Sequence, residues 1–179
     1  MTSQTGMTES DLIKGCLAEN RLAQKELYER YKKAMYTLCY RITGDFETAE
    51  DVLQEAFLKV FRGMKSFRGE STIGAWIKTI VIRTAYSQMR KNRIFFEDLD
   101  KAENAEPIDW GDFLQAEYLE KAINSLPDGY RTVFVMIEVE GYAHKDVAAM
   151  LDISTGTSKS QLFYAKKKLR EILSHYGHS

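Results

Sequence analysis

Proline is nearly absent from this chain, at two residues in 179, so the residue that removes a backbone donor and breaks helices interrupts it in only two places. Cysteine is equally scarce. Cys16 and Cys39 are too few for a disulfide framework, and both fall at apolar helix positions, which points to buried, reduced thiols. The three histidines, His144, His175 and His178, do not stand with Cys or Asp at metal-ligand spacing, so neither a metal site nor a cofactor is expected. Gly63, Gly69 and Gly74 lack both a preceding strand and a following Lys-Ser/Thr, which argues against a phosphate-cradling loop. No catalytic residue, and no enzyme, is expected. Runs of alternating strand pattern are few. Neither a signal-peptide pattern nor a stretch of about 18 apolar residues is read in the sequence, so no membrane insertion is expected and the chain reads as cytoplasmic.

What remains is helix-forming sequence. Hydrophobic residues make up 44% and aromatics 12%, enough for packed cores, while 28% charged residues keep the surface wet. The net charge of −1 argues against a uniformly basic nucleic-acid protein, but the charge is sorted by segment. Residues 45–58 carry five acids and no base, residues 72–93 five bases and no acid, and residues 94–112 seven acids and one lysine. Such blocks suggest different partner surfaces on one chain.

Residues 144–173 hold two short amphipathic helices around an Asp152-Ile153-Ser154 break, the sequence shape of a helix-turn-helix. Val147, Ala148 and Leu151 make one apolar stripe in the first. In the second, Ser158, Leu162, Ala165, Leu169, Ile172 and Leu173 share a side that faces protein. Opposite them lie Ser160, Phe163, Tyr164 and Lys167, flanked by Lys159 and Gln161. This hydrogen-bonding, aromatic and cationic set suits base edges and phosphates. A solvated basic face on an ordinary hairpin is the alternative.

The amino-terminal half reads as four helices. Thr8 and Asp11 form a capping-box pattern, and Gly44-Asp45 ends a helix of about 22–42 and caps the next. In the third helix Phe46, Ala49, Leu53, Ala56, Phe57 and Val60 are expected inside, with Glu47, Glu50, Asp51, Gln54, Glu55 and Leu58 outside. In the fourth, about 72–93, Ile73, Ile77, Ile80 and Thr84 are expected inside. Thr79, Arg83, Tyr86 and Arg90 line up outside, cations interleaved with a ring in the manner of a single-strand stacking surface. Trp76 sits at the border, as a core residue or a base contact. Residues 94–112 lose periodicity and read as an extended acidic linker.

Three blocks in order resemble the extracytoplasmic-function (ECF, group 4) sigma factors of bacterial RNA polymerase: YRITGDFETAEDVLQEAFLKVF at 40–61 its region 2.1–2.2, FRGESTIGAWIKTI at 67–80 its region 2.3, and residues 119–173 its region 4. The resemblance implies an all-α chain of two small helical domains: a region 2 bundle over 8–93 and a region 4 helix-turn-helix over 113–176, joined by a flexible acidic linker over 94–112. It implies docking of Asp51, Gln54, Glu55 and Leu58 on the beta-prime clamp of core polymerase, with the beta flap as a further contact. Ser71, Trp76, Thr79, Arg83 and Tyr86, with Arg90 on the same stripe, would hold the minus-10 non-template strand, one base pulled from the stack. The second helix of region 4, with Lys159, Ser160, Gln161, Phe163, Tyr164 and Lys167, would read minus-35 promoter DNA. An anti-sigma factor is a further implied partner.

The pattern departs from the family's at Arg83, Ser87, Asp152 and Ser158, where Asn, Asp, Gly and Val are common. Asp152 can still adopt a turn conformation, and Ser158 is expected to weaken the local core slightly. Two other functions fit parts of the chain. A stand-alone helix-turn-helix regulator leaves the Arg-Tyr stripe unexplained, and a sigma mimic that titrates an anti-sigma factor leaves the basic helix at 155–173 unexplained.

Overall fold

The computed structural model describes residues 6–92 and 116–176, so the acidic segment expected at 94–112 lies outside the described residues. Among these residues every regular element is helical. The amino-terminal domain comprises α1 (Glu9–Leu17), α2 (Arg21–Thr43), α3 (Phe46–Gly63) and α4 (Ile73–Asn92). The carboxy-terminal domain comprises α5 (Ala116–Asn124), α6 (Asp128–Phe134), α7 (His144–Leu151) and α8 (Thr155–Tyr176), with a π-helical turn, Val135–Val139, continuing α6.

Local side-chain chemistry sets the breaks. At α1 the Thr8 hydroxyl accepts from the Asp11 amide while the Asp11 carboxylate accepts from the Thr8 amide, a complete capping box. Gly44, at φ 71°, ends α2 in the left-handed conformation that glycine adopts without steric cost. The Asp45 carboxylate then accepts from the Thr48 amide at 2.8 Å and the Thr48 hydroxyl at 2.7 Å, and these bonds hold the carboxyl below its ordinary range. Ser154 starts α8 by accepting from the Thr157 amide at 2.9 Å.

In the amino-terminal domain α2, α3 and α4 pack on one another, and α1 crosses α2. The crossing is close because position 15 has no side chain: a Cβ there would stand 2.4 Å from that of Ala23. Leu27, Leu38, Ile42, Val52, Val60, Ile73 and Ile77 form the centre. In the carboxy-terminal domain α6 and α7 pack on α8, burying Val133, Met136, Val147, Leu151, Ala165, Leu169 and Leu173. Truncating one such leucine to alanine costs about 2–5 kcal/mol.

Two expectations about packing change. Phe46 is 63% exposed, not buried; at the first position of α3 it lies beyond the core, and its ring stacks on Tyr40 at 4.4 Å instead. More consequentially, the domains do not stand apart. α2 packs against α5 and α6, α4 packs against α7, and the buried side chains of both halves form one continuous cluster. The cause is visible in α4, where Val81, Ile82, Ala85, Tyr86 and Met89 are buried in addition to Ile73, Ile77 and Thr84. A helix apolar around so much of its circumference needs neighbours on more than one side.

Candidate nucleic-acid interface

The outer face of α3 is bare. Asp51, Gln54 and Leu58 lie at i, i+3 and i+7 and are all exposed, Leu58 at 54%, while Val52, Ala56 and Val60 on the opposite side are fully buried. Glu55 is half-buried and is not a free charge: Lys59 Nζ stands 2.9 Å from its carboxylate and donates also to the Thr84 hydroxyl at 3.4 Å. As a surface pair this adds roughly 0.2–1 kcal/mol to stability. Beside this face Leu53 and Gln54 share a cleft of about 510 Å³ with Tyr28, Lys32 and Tyr36 of α2.

The face expected for a single strand is arranged less openly. Ser71, Arg83 and Arg90 are exposed, and Thr79 is half-buried, its hydroxyl donating to the Ala75 carbonyl at 3.2 Å. Trp76 is half-buried against Phe67, with ring centroids 5.4 Å apart, so it braces the loop onto α4 while keeping one side in solvent. Tyr86 contradicts its outward placement. It is only 5% exposed, because α7 packs on α4 and covers that side. Burial pushes its hydroxyl up; Arg90 opposes and Asp152, in the helix-turn-helix break, reinforces the shift.

On α8, Lys159 and Lys167 are exposed, and Phe163 and Tyr164 are half-buried. The Tyr164 ring stacks on Tyr130 at 6.0 Å and meets Phe163 edge-on at 5.3 Å, so the aromatic pair is held from α6. Two of the expected readers turn inward. Gln161 is 2% exposed; at 100° per residue it lies within about 40° of Ala165 and about 20° of Ile172, on the protein side. Ser160 is 3% exposed, its short side chain turned back to donate to the Thr157 carbonyl at 3.1 Å. Of the six residues expected to read DNA, Lys159, Phe163, Tyr164 and Lys167 are therefore the ones that reach the surface of α8 in this conformation.

The helix-turn-helix break has the geometry that its sequence demands. Asp152 takes φ 56° and ends α7 in the left-handed region, and the Ile153 amide donates to the Ala148 carbonyl at 3.0 Å. Ser158 is fully buried, and its hydroxyl lies 2.8 Å from His144 Nδ1. That bond ties the start of α7 to α8, a compensation that the expected core weakening overlooked.

Two family models match this chain: Sigma-70 region 2 over residues 27–94 and Sigma-70 region 4 over residues 116–169. The ECF RNA polymerase sigma-E factor of Haemophilus influenzae is 30% identical over 179 residues, covering 91% of this chain and 94% of its own length. The chain belongs to the ECF RNA polymerase sigma factors. Other relatives agree. SigM of Mycobacterium tuberculosis is 26% identical over 94% of this chain and 86% of its own length. SigE of Mycolicibacterium smegmatis is 29% identical over 85% of the chain, which spans 62% of that protein. Among solved structures, the sigma factor RpoE of Bartonella quintana, crystallised with the anti-sigma factor NepR, matches at TM-score 0.59 and 27% identity, covering 84% of this chain and 96% of its own. CnrH in complex with the cytosolic domain of CnrY, at 20% identity and TM-score 0.56, covers 92% of this chain and 96% of its own and shares the fold.

Within this sigma factor the residues joining region 2 to region 4 were not anticipated. Arg131 of α6 is 3% exposed, and Lys78 of α4 pairs with Glu140 after the π turn at 2.8 Å. The Asn124 amide donates to the Tyr40 hydroxyl at 3.1 Å. The one available signal was Arg131 itself, a cation separated by only Thr132 from the apolar run Val133, Phe134, Val135 and Met136. Such a charge is rarely buried without partners.

Proposed function

We propose that this ECF sigma factor directs core polymerase to promoters through three surfaces, and that it has no catalytic chemistry of its own. Asp51, Gln54 and Glu55 on α3 dock on a basic polymerase surface, where complementary charge sets orientation and on-rate and Leu58 adds apolar contact. Ser71, Trp76, Thr79, Arg83, Tyr86 and Arg90 engage the non-template strand of the minus-10 element; stacking compensates the few kcal/mol that an extruded base costs. Lys159, Phe163, Tyr164 and Lys167 meet the minus-35 element in the major groove, with Ser160 and Gln161 joining only if α8 shifts on its neighbours. The complex of RpoE with the anti-sigma factor NepR supports an anti-sigma factor as a further partner. No helix among the described residues is long and apolar enough to cross a membrane, in keeping with work in the cytoplasm.

The observation that carries this reading is the presence on one chain of both matched sigma regions, one with a bare acidic face and the other with a basic, aromatic second helix. Run-off transcription with core polymerase tests it. Promoter-specific transcripts that require the added chain are expected. A stand-alone helix-turn-helix regulator, or a mimic that only titrates an anti-sigma factor, gives none.

A further inference from the structure

The guanidinium of Arg131 has all five of its N–H donors in use. Nη1 donates to the Asn124 carbonyl at 3.2 Å and the Leu126 carbonyl at 2.8 Å, and one Nη2 proton goes to the Asp128 carboxylate at 2.6 Å. These bonds stay within region 4. The remaining two cross to region 2: Nε to the Ile42 carbonyl and Nη2 to the Thr43 carbonyl, each at 2.8 Å. Ile42 and Thr43 are the last residues of α2, whose terminal carbonyls have no partner within the helix and carry its negative dipole end. A cation from the other domain therefore caps α2. Gly44 makes room for it, since a Cβ there would stand 3.2 Å from Arg131 Cζ. Three points close the seam: the Arg131 cap, the Asn124–Tyr40 bond and the Lys78–Glu140 pair, whose glutamate side chain is 13% exposed.

We infer that Arg131 latches region 4 onto region 2 in the free chain, and that this closure hides Tyr86 from a promoter strand while leaving the polymerase-docking face of α3 uncovered. The inference rests on the promoter-binding reading of α4 given above. Lys78 and Tyr86 stand two turns apart on α4; the first is paired with Glu140 and the second is covered by α7, so the seam that closes the domains also covers the ring. Asp51, Gln54 and Leu58 remain exposed in the same conformation. Core polymerase is thus able to dock first, and holding the two regions at separate points on its surface would break the latch before DNA is read. The apparent affinity of the free chain for a single strand is lowered by the fraction held closed.

Because Arg131 also braces region 4 internally, its removal can unfold that domain, so the decisive variants act on the cross-domain pair alone. Spin labels at Lys65→Cys and Glu171→Cys, both exposed sites, report the distance between regions in the full chain, while native Cys16 and Cys39 stay buried. Lys78→Glu and Glu140→Lys should each lengthen and broaden that distance, and the double reversal should restore it. A distance unmoved by either single reversal overturns the latch. In parallel, binding of a fluorescent single-stranded minus-10 oligonucleotide to the free chain should tighten by about tenfold in Glu140→Lys, the gain expected when a competent minority state becomes dominant. It should return to the wild-type value in the double reversal. If the distances respond and the oligonucleotide affinity does not, the masking of Tyr86 is overturned. If no variant binds the strand at all, the promoter reading of α4 has failed while the distances still judge the latch.

Discussion

The outer face of α3 and the side of α4 that meets α7 both belong to helices of region 2, yet one is open and the other closed. On α3 a single apolar stripe faces the bundle, so among the described residues the strip opposite it is left to solvent, with Glu55 held only by Lys59 of the same helix. On α4 apolar residues occupy more than one stripe, and region 4 covers the surplus together with Tyr86. The lesson is that an exposed face read from periodicity is reliable only where the helix has one buried side. Where it has two, the second is taken up by the chain's own folding.

Opposite substitutions sharpen this contrast. Arg131→Leu leaves the Asp128 carboxylate and four backbone carbonyls without their cation, and a loss of about 3–5 kcal/mol of stability is expected in urea unfolding. Asp51→Arg combined with Glu55→Arg should change stability little while weakening core polymerase binding at least about tenfold, as charge reversal across a complementary interface does. Equal stability losses from both sets would erase the distinction between seam and open face. Lys159→Ala comes next: minus-35 affinity should fall by about 1–3 kcal/mol if the amine meets a base, or the salt slope should drop by about one if it meets a phosphate. No change in either would return that face of α8 to plain solvent.

Much of the amino-terminal domain was legible because its caps are written locally. Thr8–Asp11, Gly44 and Asp45 fix three helix ends by chemistry that needs no distant partner. The outward strip of α3 followed from the same periodicity. Closure of the domains was not legible, since its bonds join residues more than 60 apart, and no local pattern pairs Lys78 with Glu140 or Arg131 with the Ile42 carbonyl. Gln161 was misplaced for a different reason. A polar residue invites an outward assignment, but its angle on α8 belongs to the apolar arc.

Smaller effects probe the turn between α7 and α8. Burial, aided by Lys159 and Lys166 and opposed by Glu138, holds the His144 imidazole below its ordinary range. The unfolded chain takes up that proton near pH 6.5, so the stability from this site is complete above that pH and is lost as pH falls through it toward the lower folded value. Thermal unfolding of His144→Gln should therefore show a shallower decline than the wild type between neutral pH and pH 5.5; parallel curves would remove His144 as the cause. Smallest is Asp152→Gly, which relieves a left-handed side chain and should raise stability by about 0.5–1 kcal/mol in the same unfolding assay. A loss there would mean that the carboxylate contributes more than its strain costs.

The most direct test of the central claim is hydroxyl-radical footprinting of Tyr86, quantified by mass spectrometry, in the free sigma factor and after core polymerase binds without DNA. The closed chain predicts protection at Tyr86 when free and strong modification in the holoenzyme. Equal reactivity in the two states would mean that region 4 does not shield α4, and the account would be contradicted.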